Sequence, residues 1–132
     1  MKDPHEVFLS THDAAELRAL LRERSGSHVA SELGSLLAQA RIVAREHLPA
    51  DRTAIGSQVV YREEPAGVTR IVTLCHPDEA DGALDRLSVL SPAGLAVLGR
   101  RPGSVVMATL RNGWPFTVRV LDATPATEKE TT

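Results

Sequence analysis

The hydrophobic pattern changes its period near the middle of the chain, and no other feature limits the fold as strongly. Up to Ala40 the apolar residues recur every three or four positions, as on one face of a helix. From Ile55 onward they alternate and are rich in β-branched side chains, as in half-buried strands. Leu48-Pro49-Ala50-Asp51 closes the helical region. Helices first and sheet second predict an α+β fold. At 132 residues the chain makes one domain, or one domain with a small appendage.

Within the first region Val7-Phe8-Leu9 reads as either a strand or the lead-in to a helix. Ser10, Thr11 and Asp13 offer N-cap side chains. Ala14, Leu17, Leu20 and Leu21 then make one stripe over His12–Arg24. Ser25-Gly26-Ser27 is a short break, so the next helix is expected to fold back antiparallel. Ser27 caps it, and Val29, Leu33, Leu36, Leu37 and Ala40 form its stripe. Gly34 costs about 1 kcal/mol relative to alanine inside a helix, which close approach of the first helix would explain. Helices of three to four turns are marginal alone, so the pair needs support from the rest of the chain.

Within the second region strands are expected near Ser57–Arg62, Thr69–Cys75, Arg86–Leu90, Val105–Leu110 and Phe116–Leu121. Pro65-Ala66-Gly67 turns the first into the second. Asn112-Gly113 is a strong hairpin signal between the last two. One short helix fits between Pro92 and Leu98, with Ser91 as N-cap, Pro92 in its first turn and Gly99 as its stop. The expected organisation is a short antiparallel helical hairpin, a coiled coil, over 1–52. An antiparallel sheet with one helix follows over 53–123, and a disordered Thr/Glu/Pro-rich tail over 124–132.

Composition excludes several function classes. No apolar run reaches the roughly 18 residues of a membrane helix, and Met1–Glu6 is polar, unlike a signal peptide. A single cysteine, Cys75, rules out an internal disulfide and fits a reducing, cytoplasmic setting. The net charge of -2 draws no nucleic acid by a global field. The four aromatics, Phe8, Tyr61, Trp114 and Phe116, are too few for a stacking platform. Cys75 and His76 fall short of the four ligands of a zinc site, and a buried structural thiol is the simpler role. Gly94 and Gly99-Arg100-Arg101 lack the Gly-Lys-Ser/Thr of a phosphate loop, so no kinase machinery is present. No metal or cofactor is expected.

Three features remain as candidates for contact with a partner. Asp78, Glu79 and Asp81, with Asp85 nearby, form an acidic turn; it serves either as a solvated loop whose carboxylates cap the turn or as a surface for basic residues. Ser91-Pro92 is an N-cap and first-turn proline whatever else it does. Arg100 and Arg101 read as exposed charge that complements a helix C-terminus, or as binding residues.

The ordered segments R-I-V-T-L-C-H-P-D-E-A-D, L-S-V-L-S-P-A-G and L-G-R-R-P-G resemble the C-terminal domain of bacterial Gre-type transcription factors, and more closely the Rnk family (regulator of nucleoside diphosphate kinase). The likeness is strongest from Gly56 to Asp122 and reaches D-A-A-E-L-R-A-L-L in the first helix. Gly103-Ser104 replaces a frequent Gly-Asp, and His76 stands where many members carry an aromatic or aliphatic residue. The resemblance implies an FKBP-like sheet domain. It also implies docking at the secondary channel of RNA polymerase, with Asp78, Glu79, Asp81, Ser91, Pro92, Arg100 and Arg101 as contacts and the helical hairpin pointing into the channel. In long Gre factors carboxylates at the hairpin tip help to hold a catalytic magnesium ion. Here about 13 residues per helix give an arm of roughly 20 Å. The tip, Arg22–His28, carries Glu23 as its one carboxylate beside Arg24, a poor ligand set for magnesium. The expectation is therefore a monomeric, non-catalytic polymerase-binding regulator that competes with Gre factors, binds neither nucleic acid nor membrane, and does not stimulate cleavage. An FKBP-like peptidyl-prolyl isomerase and a Gre-like cleavage factor are the alternatives.

Overall fold

A computed structural model describes residues 6–125. Strand β1 (Phe8–Ser10) leads directly into α1 (Thr11–Glu23). Ser10 Oγ accepts from Asp13 N at 3.0 Å, so the serine ends the strand and caps the helix at once. Ala14, Leu17 and Leu20 are the buried stripe of α1. Ser27 caps α2 (His28–Gln39) in the same way through Ala30 N, and Ala30, Leu33 and Leu36 are buried.

The helical pattern stops earlier than Leu48. Ala40 is already extended, and Arg41–Val43 forms β2, which pairs in parallel with β1 through Leu9↔Ile42. Val7-Phe8-Leu9 is thus strand rather than helix lead-in over Phe8 and Leu9. A 3-10 turn at Arg45–His47 completes the connection. The close approach expected at Gly34 does not occur: a Cβ there would meet open space.

The second region contains β3 (Gln58–Glu64), β4 (Val68–Cys75), β5 (Arg86–Ser88), α3 (Pro92–Val97), β6 (Val105–Thr109) and β7 (Pro115–Thr124). They make a curled five-stranded sheet in the order β5-β4-β3-β7-β6. The sheet is mixed rather than wholly antiparallel, because β5 runs parallel to β4 through Leu74↔Leu87. Two 3-10 turns between β4 and β5 carry the chain back to the start of the sheet and make the parallel pairing possible. The β6–β7 hairpin forms at Asn112-Gly113 as read. Its loop spans five residues closed by Leu110 N to Trp114 O at 2.8 Å, and only Gly113 takes a positive φ. Thr124 still belongs to β7; residues 126–132 of the expected tail lie outside the described residues.

Both regions share one core. Val59, Tyr61, Val72, Leu74, Val118 and Val120 project from one face of the sheet, and Ala93, Ala96, Val97 and Leu98 cover them. Leu17, Leu20, Leu33 and Leu36 of the helices join the same cluster through Val7 and Leu9. Phe8 N also bonds to Gly99 O at 3.0 Å. The short helices therefore draw support from the sheet region, as their length requires.

Candidate partner-binding face

The acidic turn is built from local hydrogen bonds. Pro77 opens the first 3-10 turn, and His76 Nδ1 accepts from Asp78 N at 3.3 Å. Asp81 Oδ1 accepts from Ala83 N at 3.0 Å and caps the second. The Asp81 and Arg86 backbones exchange bonds of 3.0 and 2.9 Å, which closes the loop. Asp85 adopts a left-handed conformation at φ 55, one that aspartate tolerates better than most residues. Asp81 thus has the structural role; Asp78, Glu79 and Asp85 stand exposed, Asp78 with 85% of its side chain accessible. Cys75, just before the turn, is buried, and that burial raises its thiol pKa. Its side chain belongs to the buried core.

Ser91 does two structural jobs. Its Oγ accepts from Gly94 N at 3.0 Å and donates to Ser88 O at 2.8 Å. Pro92 follows at the first helical position. Gly94 matters more than the sequence showed. Gly94 is buried against Ser88, and a Cβ at Gly94 would overlap the Ser88 carbonyl oxygen. Only glycine lets α3 approach β5 this closely.

Beside the acidic turn a cleft of about 290 Å³ opens between the sheet and the start of α3. Tyr61, Val72, Leu87, Ala93, Leu110 and Phe116 form its apolar lining. Pro92, Gly82, Asp85 and Arg86 stand around it, as does the Glu63–Arg70 ion pair at 3.5 Å. Burial pushes the Tyr61 phenol up to about 12, so it remains protonated at neutral pH. The structure therefore brings Pro92 and Asp85 to one cleft, whereas Asp78 and Glu79 border a separate one with His12, Glu16 and Arg45. Sequence reasoning singled out Pro92 and the acidic turn but did not find the apolar floor. The available signal was the inward parity of Tyr61 on β3, a large residue among small ones.

The other predicted residues lie elsewhere. Arg100 is buried, at 9% exposure, and this corrects its reading as exposed charge. Arg101 is half-buried next to it. Glu23 and Arg24 sit at the turn between α1 and α2 and pair with each other at 3.3 Å. Sequence reasoning also missed Arg52, which is buried, donates to Glu6 O at 2.8 Å and Gly99 O at 3.2 Å, and lies 4.3 Å from the Phe8 ring centroid. Among the described residues no group of three metal-ligating side chains is placed to hold an ion, and no helix is long and apolar enough to cross a membrane. The cleft has an apolar floor and a mixed rim, Asp85 and Glu63 alternating with Arg70 and Arg86. Such a surface fits a protein element that presents an apolar tip with charged flanks.

Comparison with known proteins agrees with this architecture. Residues 48–125 match the family described as transcription elongation factor, GreA/GreB, C-terminal. The chain is 29% identical over 118 residues to the regulator of nucleoside diphosphate kinase of Escherichia coli, covering 88% of this chain and 87% of that protein. It is 32% identical over 119 residues to transcription elongation factor GreA of Desulfovibrio desulfuricans, covering 82% and 73%. A prokaryotic GreA/GreB elongation factor from Nitrosomonas europaea superposes with a TM-score of 0.71 at 28% identity, over 91% of this chain and 100% of that one. The fold is thus that of Gre-type transcription elongation factors. The chain belongs to the GreA/GreB C-terminal family, and within it is a homologue of the Rnk proteins.

Proposed function

We propose that this protein is a non-catalytic, cytoplasmic regulator that binds RNA polymerase at the rim of its secondary channel and competes there with Gre factors. The family membership supplies the partner. In this reading the docking face combines the apolar cleft beside Pro92 with the neighbouring turn that exposes Asp78 and Glu79. Helices α1 and α2 form the short hairpin that faces the channel.

One observation carries the non-catalytic half of the proposal. The turn between α1 and α2 offers Glu23 as its only carboxylate, and Glu23 is already paired with Arg24 at 3.3 Å. Helices of 13 and 12 residues reach only about 20 Å. Magnesium chemistry in a polymerase active site needs oxygen ligands delivered there, and this turn supplies too few at too short a reach.

The experiment has two arms. Pull-down with core RNA polymerase, followed by competition with a Gre factor, is expected to show retention that the Gre factor displaces. Stalled elongation complexes supplied with this protein are expected to show no transcript cleavage above background. Restored cleavage would overturn the non-catalytic reading. Absence of retention would overturn the docking reading.

The isomerase alternative draws on one feature, an apolar cleft that includes Tyr61 and Phe116. Fold likeness alone does not carry that activity, and a proline-isomerisation assay decides it.

A further inference from the structure

The two edges of the main sheet are treated very differently. At one edge β5 is only three residues long, and the Asp81 backbone bonds to Arg86 there. At the other, β6 runs for five residues, Val105-Val106-Met107-Ala108-Thr109. It holds no charge and no proline, and its register with β7 is unbroken by a bulge. Apart from the pairing with β7, its backbone makes no backbone hydrogen bond among the described residues. Natural sheets normally blunt such an edge by one of these devices, because an open edge templates another strand.

The surroundings of β6 favour one kind of strand. A groove of about 270 Å³ runs along it, bounded by α2 and α3. Leu36, Leu95, Ala96 and Val106 give it apolar seats for alternate side chains. Glu32 also borders this groove, and its carboxylate lies 3.5 Å from His28. On the outer side Met107 and Trp114 are 69% and 68% exposed. From Arg100 to Leu121 the chain carries four arginines and no carboxylate, although its overall charge is -2. Arg111 and Arg119 are exposed at the hairpin end and beside Val105.

We propose that β6 is a docking edge, to which an extended peptide segment of a partner protein adds as a further strand. The segment has apolar residues at alternate positions and acidic residues at its flanks. Main-chain bonds to the open edge supply affinity, the groove selects alternate apolar side chains, and Arg111 and Arg119 select the acidic flanks. A second copy of this chain fits less well. Antiparallel pairing of two β6 strands about Met107 would place the Arg101 end of one copy beside the Arg111 end of the other, setting like charges together. Single-stranded nucleic acid fits less well too, because Trp114 is the one exposed aromatic on this hairpin and stacking needs a row of them. The inference stands apart from the polymerase docking proposed above, which uses the opposite edge of the sheet, near β5.

The test uses the full chain and the synthetic peptide acetyl-Glu-Val-Thr-Val-Thr-Val-Glu-amide, with the same peptide flanked by lysines as its control. Backbone amide NMR signals are followed during titration. The acidic peptide is expected to bind saturably, to shift the amides of residues 105–109, and to bind at least about tenfold tighter than the lysine peptide. The double variant Arg111→Glu/Arg119→Glu, with an unchanged melting temperature, is expected to lose or invert that preference. The proposal is overturned if the 105–109 amides do not respond, or if both peptides bind equally. It is also overturned if sedimentation shows self-association that protects those same amides. Binding of oligo(dT) in place of the acidic peptide, abolished by the double variant, would overturn it as well. Because no polymerase is present, the result is independent of the docking reading.

Discussion

Asp13 is buried at 4% exposure in the first turn of α1, and its Oδ2 accepts from Ile55 N at 2.9 Å. This bond joins the helical region to the loop that enters the sheet. Replacing Asp13 by alanine leaves the Ile55 N–H without its acceptor, a loss of about 1–3 kcal/mol. Asparagine keeps an acceptor oxygen and gives up the charge. The charge has opposing effects: burial disfavours it, while the Ile55 hydrogen bond, His12 and Arg45 favour it, and burial prevails, so the carboxyl pKa lies above its ordinary 3.8. The Asp13→Asn variant is therefore expected to change stability at neutral pH by less than about 1 kcal/mol in either direction.

The pH dependence is more diagnostic. A carboxyl with a raised folded-state pKa binds its proton more tightly in the native chain than in the unfolded one. Its contribution is full below 3.8 and is lost as pH rises through the folded value. The stability of the natural protein minus that of Asp13→Asn should thus fall from acid toward neutral pH and then level off. Urea melts of both proteins from about pH 3 to 7 measure this difference, in which other titrations cancel. A difference that grows with pH would mean that Asp13 is stabilised as an anion, and the burial argument would fail.

Two glycines should respond in opposite directions. Gly34→Ala adds its methyl to open space within α2 and is expected to stabilise by up to about 1 kcal/mol. Gly94→Ala drives a Cβ into the Ser88 carbonyl oxygen and is expected to destabilise by about 1–3 kcal/mol. Thermal melts of the two variants compare them, and a neutral Gly94→Ala would refute the packing of α3 on β5. At the proposed docking face, Asp78→Asn/Glu79→Gln keeps side-chain shape and removes exposed charge. It should weaken retention by core RNA polymerase severalfold while stability changes by no more than about 0.5 kcal/mol. Unchanged retention would remove the acidic turn from the interface.

Much of the fold was legible because its signals are short-range. Ser10, Ser27 and Ser91 each cap the helix that follows, as their positions before apolar stripes indicated. The five long-pattern strands fall where alternation placed them, within a few residues at each end. The helical region was read too long because Arg41–Val43 is stabilised by a distant partner, β1, and carries no turn residue of its own. The site was half legible. Asp78, Glu79, Ser91 and Pro92 stood out as residue types, whereas the Tyr61–Phe116 floor depends on two strands meeting across the sheet.

What the amino-acid sequence determined alone was local. It set where helices and strands begin and end, which faces are apolar, and that the α1–α2 turn offers only one carboxylate. Caps, turns and periodicity act over a few residues, so they can be read from neighbours. The tertiary structure decided everything that depends on distant segments meeting. That includes the parallel pairing of β5 with β4 and the burial of Arg52 and Arg100. It also includes the need for glycine at position 94 and the cleft between α3 and the sheet. Each is a contact whose free energy arises only after the core has closed, and no local pattern encodes it.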